Sequence, residues 1–291
     1  MTYGITGASG PLGRAAAEHL LELVDPRELV LTTRRPEHLR DLAARGVQVR
    51  RADFDDPGTL PAAFAGVSRL LLVSTDQVGS RLAGHRAAVQ AATAAGVKRI
   101  VYTSVPEPVD GNPATVVADH AGTEQILRDS GMGWTVLRNN LYAHLQVGAV
   151  EHAAATGRLL TNYGPGAAAF VTRADCAAAA AGAMFQDDQQ DRALDVTGPA
   201  GVTAAGVAAL ASELGQREVE VIQVDDAEFA DGLRASGLPE HAVDLVTSFG
   251  AAIRGGYLSR VTDTVEHLAG RPPTAFAAAV RPAVAINRAD T

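Results

Sequence analysis

The chain almost does without lysine: of its 25 basic residues only Lys98 is not an arginine. No Tyr-x-x-x-Lys pair can be written anywhere in it, which excludes the arrangement in which a lysine lowers a tyrosine pKa so that the phenol exchanges a proton with a carbonyl oxygen. One cysteine, Cys176, excludes an internal disulfide and a cysteine-based zinc cluster; set in Asp175-Cys176-Ala177-Ala178 it reads as a buried, inert thiol inside a helix. The histidines are dispersed, so no metal site is expected. There is no uninterrupted apolar run of about 18 residues and no charged start leading into an apolar signal segment, so the expectation is a cytoplasmic protein without a membrane partner. A formal charge of −8 with scattered arginines leaves no basic groove for nucleic acid.

What is present begins at the N-terminus. Gly7-Ala8-Ser9-Gly10-Pro11-Leu12-Gly13 lies between an apolar opening, Tyr3-Gly4-Ile5-Thr6, and a helix-like run from Arg14 to Val24. Glycines after a first strand permit a tight turn and bring backbone N–H groups close to a pyrophosphate, while the following helix adds partial positive charge. The spacing is G-x-x-G-x-x-G rather than G-x-G-x-x-G, and its position between strand and helix points to a dinucleotide.

Short apolar runs at 2–6, 29–33, 47–52, 70–74, 99–103 and 134–138 suit strands buried on both faces of a parallel sheet. Helical stretches fall between them, at 12–24, 36–45, 79–95 and 116–130. Repeated strand–helix–strand units predict an α/β fold, a doubly wound Rossmann sheet with its ligand across the C-terminal strand ends. Thr6, the loop 7–13, Arg34, Asp53 with Phe54, Ser74-Thr75 and Thr103-Ser104 then lie along one edge. The expected division is a dinucleotide-binding domain over 1–140, with 167–198 packing back on it. A smaller, mostly helical substrate domain takes 141–166 and 199–291, with short strands near 158–161, 193–196 and 219–224.

The second strand bears on cofactor choice. Selection of NAD usually needs an Asp or Glu about 20 residues past the glycines, whereas a 2′-phosphate is met by arginine. Here stand Thr32-Thr33-Arg34-Arg35, without a carboxylate to repel phosphate, so NADPH is favoured over NADH. The alternative is that Arg34 and Arg35 form a solvated helix entrance before Pro36. Asp53 either borders the adenine or caps the next turn.

Ile5-Thr6-Gly7-Ala8-Ser9-Gly10-Pro11-Leu12-Gly13, Arg34 with Pro36, Gly96-Val97-Lys98-Arg99-Ile100-Val101-Tyr102-Thr103-Ser104 and Leu137-Arg138-Asn139-Asn140-Leu141-Tyr142 together resemble the NmrA-like atypical short-chain dehydrogenases. Within these, the chain looks nearest to the group of bacterial NAD(P)H:quinone oxidoreductases of type 2 and triphenylmethane reductases. The likeness continues through Thr161-Asn162-Tyr163-Gly164-Pro165-Gly166 and Val171-Thr172-Arg173-Ala174-Asp175 and so covers most of the chain. The resemblance implies a Rossmann domain with a smaller C-terminal substrate domain, and NADPH-dependent reduction of quinones or similar conjugated acceptors.

Where the lost dyad would stand, the chain has His120 and Glu124. Reducing a ketone creates a strongly basic alkoxide that demands a proton donor, whereas reducing a quinone gives a hydroquinone anion with a phenol-like pKa near 10. A site without the dyad therefore suits an electron-poor, conjugated small molecule. His120 is the one proton donor in the dyad position, or a structural histidine at a helix start. Asn139 and Asn140 either donate to a developing oxyanion or cap a helix over 141–155. Ser104 either meets ribose, carboxamide or substrate oxygen, or ends a strand. Tyr142, with Val105, Pro106, Leu141 and Phe170, either lines a flat aromatic pocket or packs in the core. The reductase reading stands beside two others: a non-catalytic, NADP(H)-binding redox sensor, and a tailoring reductase of an imine, iminium or enone. A homodimer is the expected assembly.

Overall fold

The computed structural model describes residues 1–187 and 189–289. Its strands, in chain order, are β1 (Tyr3–Ile5), β2 (Leu29–Thr33), β3 (Gln48–Arg51), β4 (Arg69–Leu72), β5 (Arg99–Ser104), β6 (Gly133–Asn139), β7 (Arg158–Thr161), β8 (Ala167–Ala168), β9 (Arg192–Val196), β10 (Val202–Thr203) and β11 (Glu220–Gln223). Its α-helices are α1 (Pro11–Leu21), α2 (Arg40–Ala44), α3 (Leu60–Phe64), α4 (Arg81–Ala94), α5 (Val117–Arg128), α6 (Val147–Thr156), α7 (Arg173–Phe185), α8 (Ala204–Gly215), α9 (Asp226–Ala235), α10 (Glu240–Arg254), α11 (Thr264–Ala269) and α12 (Phe276–Ala289).

Seven strands form one parallel sheet in the order β3-β2-β1-β4-β5-β6-β9, the doubly wound Rossmann arrangement with an added edge strand. Every residue of β1, β2, β4 and β5 is buried, because helices cover both faces and leave no solvent side to mark with polar alternation. The β3 edge is polar, and its arginines keep it from pairing with another sheet. Helices α1, α7 and α11 close one face around Leu20, Leu31, Val101 and Met184; α3, α4 and α5 close the other around Phe64, Leu72 and Tyr102. The alanine run of α7 serves close approach: a Cβ on Gly182 would stand 1.9 Å from the Leu268 carbonyl oxygen of α11.

A second layer lies over the C-terminal ends of β5 and β6. Its cluster gathers Val150, Ala154, Val207, Ala211, Ile253, Leu258 and Val280, with β7 and β11 paired parallel and β8 and β10 antiparallel beside it. Phe170 belongs here: its ring is 1 % exposed and tilted against Phe276 at 5.1 Å. Three elements depart from expectation. Residues 141–155 are not one helix, because Tyr142 bridges to Val171 and only a 3₁₀ turn, Ala143–Gln146, leads into α6. The backbone there is held extended by Val171 N–H on the Leu141 carbonyl and Ala143 N–H on the Val171 carbonyl. The 36–45 stretch splits into a 3₁₀ turn, Pro36–Leu39, and α2. Helix α11, far along the C-terminal part, packs with the sheet through Val265 and Leu268.

Candidate active site

The glycine loop delivers the start of α1 to the C-terminal edge of the sheet. Gly7 has φ 60°, a conformation that costs glycine nothing, and the turn closes by Gly10 N–H on the Gly7 carbonyl at 2.9 Å. A Cβ on Gly13 would stand 2.6 Å from that same carbonyl oxygen, so strand and helix can meet only if position 13 is bare. The N-cap residue is Gly10, with no side chain to satisfy the first helical N–H groups, and Pro11 follows. The donors that remain, the N–H groups of Leu12 and Gly13, belong to residues in the wall of a crevice of about 490 Å³. A phosphate fits them because nothing in the protein uses them.

The crevice is walled by Gly7, Ser9, Gly10, Pro11, Leu12, Gly13, Arg34, Asp53, Phe54, Ser74, Thr75 and Tyr142, as well as Gln77, Arg81, Gly84 and Arg173. Ser9 is tied to β2 by its hydroxyl, 2.7 Å from that of Thr33. Arg34 is exposed at the crevice wall, whereas the neighbouring Arg35 is no part of that wall and its backbone N–H bonds the Thr33 hydroxyl. Asp53 borders the crevice and at the same time folds its own turn, its Oδ1 accepting the Asp55 N–H at 3.1 Å. Phe54 stands edge-on to His85, with Gly84 of α4 leaving room for it. Thr75 Oγ1 is buried beside this wall without a partner. Thr6 is corrected: 1 % exposed, it stitches β1 to β4 by donating to the Leu71 carbonyl and accepting the Val73 N–H, and it does not reach the crevice.

A second cavity, about 200 Å³, opens beside the first between the sheet edge and the second layer. Val105, Pro106, Leu141, Leu145, Leu245, Phe249 and Leu258 make it largely apolar, and Thr103, Ser104, Asn112, His120, Asn139 and Asn140 contribute polar atoms. Thr103 and Ser104 face this cavity rather than the crevice. Ser74, Arg81 and Tyr142 wall both spaces and are where they join. Phe170 is not in the wall, which corrects its expected place: the bridge at Val171 turns its ring into the core of the second layer.

The polar atoms are constrained. Ser104 donates its hydroxyl hydrogen to Glu124 at 2.8 Å, and that buried carboxylate is held by Arg128 and Arg138, so the serine has only lone pairs to offer. Asn140 spends its amide on the Leu258 carbonyl and its oxygen on the Leu141 N–H, joining β6 to the second layer rather than capping a helix. Asn139 hydrogen-bonds Tyr142, whose phenol burial pushes up, and leaves its own Oδ1 buried without a partner. It therefore presents an acceptor, where donation to an oxyanion had been expected.

His120 is corrected as a proton donor. Arg81 Nη1 donates to its Nε2 at 2.9 Å, and since guanidinium only donates, the ring proton sits on Nδ1, facing the Tyr102 hydroxyl at 2.8 Å. Burial, reinforced by the Arg81 charge and by His85, brings the ring down to about pKa 3. His85 behind it is fixed the same way: the Thr75 N–H faces its Nε2 and the Thr123 hydroxyl its Nδ1, with burial and Arg81 taking it to about 4. A ring held neutral, its only N–H spent on Tyr102, has no proton to give.

A family of NAD(P)H-binding proteins matches residues 7–187, which span the glycine loop, the crevice and β2 to β8. The chain belongs to this NAD(P)H-binding family. It is 35 % identical to quinone oxidoreductase 2 of Escherichia coli (strain K12) over 95 % of this chain and 96 % of that protein. A crystal structure of NADPH-dependent quinone oxidoreductase QOR2 from Escherichia coli, complexed with NADPH, superposes with TM-score 0.92 at 34 % identity, covering 97 % of this chain and 99 % of that one. That of Citrobacter sp. triphenylmethane reductase complexed with NADP(H) gives 0.88 at 29 %, covering 97 % and 100 %.

For an NAD(P)H-binding protein of this fold, the walls contain residues that sequence reading passes over. Leu245 and Phe249, one turn apart on α10, carried a signal in their spacing but none for the distance in sequence they cross to meet β5 and β6. Arg81 opens the helix that follows the mostly polar stretch 74–80 after β4, a position that could have singled it out.

Proposed function

We propose that the chain is an NADPH-dependent reductase that passes a hydride to a quinone or a similarly conjugated, electron-poor acceptor. The observation that carries this reading is the apolar cavity joined to the dinucleotide crevice at Ser74, Arg81 and Tyr142, with no carboxylate and no acid of usable proton affinity in its wall. The free amides of Leu12 and Gly13 would hold the pyrophosphate, Arg34 the 2′-phosphate, and the orphaned Thr75 Oγ1 and Asn139 Oδ1 donors further along the molecule. When bound, the dinucleotide supplies the hydride. The protein's part is to hold the acceptor flat against it in a dry cavity, which suits acceptors whose reduced form is a weak base.

Oxidation of NADPH, followed by its absorbance, should be fast with benzoquinone and naphthoquinone and slower by at least about 10²-fold with aliphatic ketones, which lack the 10²–10⁴-fold help of a general acid. Tight NADPH binding with no turnover of any acceptor would abandon this reading in favour of a redox sensor.

A further inference from the structure

Among the described residues three arginines are buried, and two of these, Arg69 and Arg99, are fully provided for, as is Arg138 on the buried Glu124. Arg69 donates to the Met184 and Gln186 carbonyls and to Asp187; Arg99 to the Trp134 and Gln190 carbonyls, with Asp191 at 3.4 Å; Arg138 to both oxygens of Glu124. Arg81 is different. It is 8 % exposed, its Nη1 rests on a neutral imidazole, and its Nε is buried with no partner. Among the described residues no carboxylate stands within ion-pair distance; Asp119, in the same neighbourhood, gives its Oδ2 to the Gly79 N–H at 2.6 Å. Arg81 is also the first residue of α4, where the helix dipole opposes a cation. Burial, a missing counter-ion and the wrong helix end all disfavour a positive charge here. The same guanidinium lies in the wall common to the dinucleotide crevice and the apolar cavity.

A preorganised, desolvated donor aimed at the place where charge develops is the most effective stabiliser of an anion. We propose that Arg81 is a catalytic residue that receives the negative charge the acceptor gains on hydride transfer, and so sets the acceptor class: neutral quinones and anionic hydroxyquinones are favoured, cationic dyes disfavoured. The inference rests on the reductase reading. The hydride brings two electrons; NADPH leaves as NADP⁺, a neutral quinone becomes a hydroquinone monoanion, and one solvent proton completes the hydroquinone. The monoanion lies against the guanidinium until that proton arrives, which is why no protein acid is needed. A triarylmethane cation becomes neutral on taking the same hydride and gains nothing from Arg81.

The test compares the intact protein with Arg81→Gln and Arg81→Lys. Titration calorimetry in the presence of NADP⁺ measures binding of 2-hydroxy-1,4-naphthoquinone, an anion at neutral pH, against neutral 1,4-naphthoquinone; kinetics compare menadione with a triarylmethane dye cation. The intact protein should bind the anion at least about tenfold more tightly than the neutral ring. Arg81→Gln should remove that preference and lower kcat/KM for menadione by about 10²-fold. It should leave the dye rate equal or higher and the NADPH Kd within about twofold, with Arg81→Lys recovering part of the loss. Equal losses on quinone and dye, or a loss explained by weaker NADPH binding, would overturn the proposal. Should Arg81→Gln fail to fold, absence of anion preference in the intact protein overturns it alone. No turnover of any acceptor defeats the reductase reading separately, since the binding contrast still reports on Arg81.

Discussion

Arg34 and Arg35 look alike in the sequence and differ in the structure. Both precede Pro36 and both are exposed, but Arg34 alone borders the crevice while Arg35 begins the turn beyond it. Replacing Arg34 by Ala should weaken NADPH by about 10- to 100-fold, the worth of one or two charge-assisted hydrogen bonds to phosphate, and change NADH by less than about twofold. Fluorescence titration with both nucleotides checks this, and equal losses would mean that the 2′-phosphate is held elsewhere. Residue types reveal such groups when the chemistry is local: the glycines at 7, 10 and 13 are legible because a turn, a bare helix end and a close approach each demand glycine. His120 and Asn139 mislead for the opposite reason. The protonation of His120 is set by Arg81 and Tyr102, partners that a linear reading does not bring to it, and the orientation of Asn139 by Tyr142, a near neighbour whose side-chain direction no spacing records.

At the scale of elements, the strands were readable because burial on both faces writes continuous apolar runs, as in Leu70-Leu71-Leu72 and Ile100-Val101. The 141–155 region was not, because its backbone is recruited by Val171, a partner 29 residues away from Tyr142, and no local propensity records such a bridge. The start of α7 shows how firmly elements can be pinned. Thr172 caps the helix through the Asp175 N–H, while Asp175, fully buried, accepts from the Thr172 hydroxyl, the Thr274 N–H and Arg271. Those hydrogen bonds outweigh burial, which alone would raise the carboxyl, and hold it below the usual carboxylate range. Asp175→Ala should lower the unfolding free energy by about 2–4 kcal/mol through the donors of Thr172, Thr274 and Arg271 left without their acceptor, the cap itself remaining because residue 175 keeps its N–H. The fall appears in the urea midpoint, with NADPH affinity at low denaturant retained.

At the scale of the whole molecule, two buried histidines lie on the same face of the sheet, on α4 and α5. His85 and His120 are neutral when folded, at about 4 and 3, and take up protons near 6.5 when unfolded. Their contribution to stability is therefore complete above about pH 6.5 and is lost as the pH falls toward their folded values, because only the unfolded chain binds the protons. The melting temperature should drop by roughly 5–10 °C between pH 7 and pH 5. A double variant, His85→Gln with His120→Gln, should flatten that slope; an unchanged slope would assign it to other groups.

The strand order also carries a schedule. The three-residue strand β1, made before either of its neighbours, occupies the middle of the sheet between β2 and β4, with Tyr3 opposite both Leu29 and Arg69. Parallel neighbours cannot close through a hairpin, so β1 has one open side until β4 has left the ribosome, some tens of residues later. The glycine loop hangs from that strand. The phosphate-binding loop, made before the strands that flank its own, can thus take its shape only after the chain has returned twice, and assembly of the cofactor site waits on the most non-local contacts of the sheet.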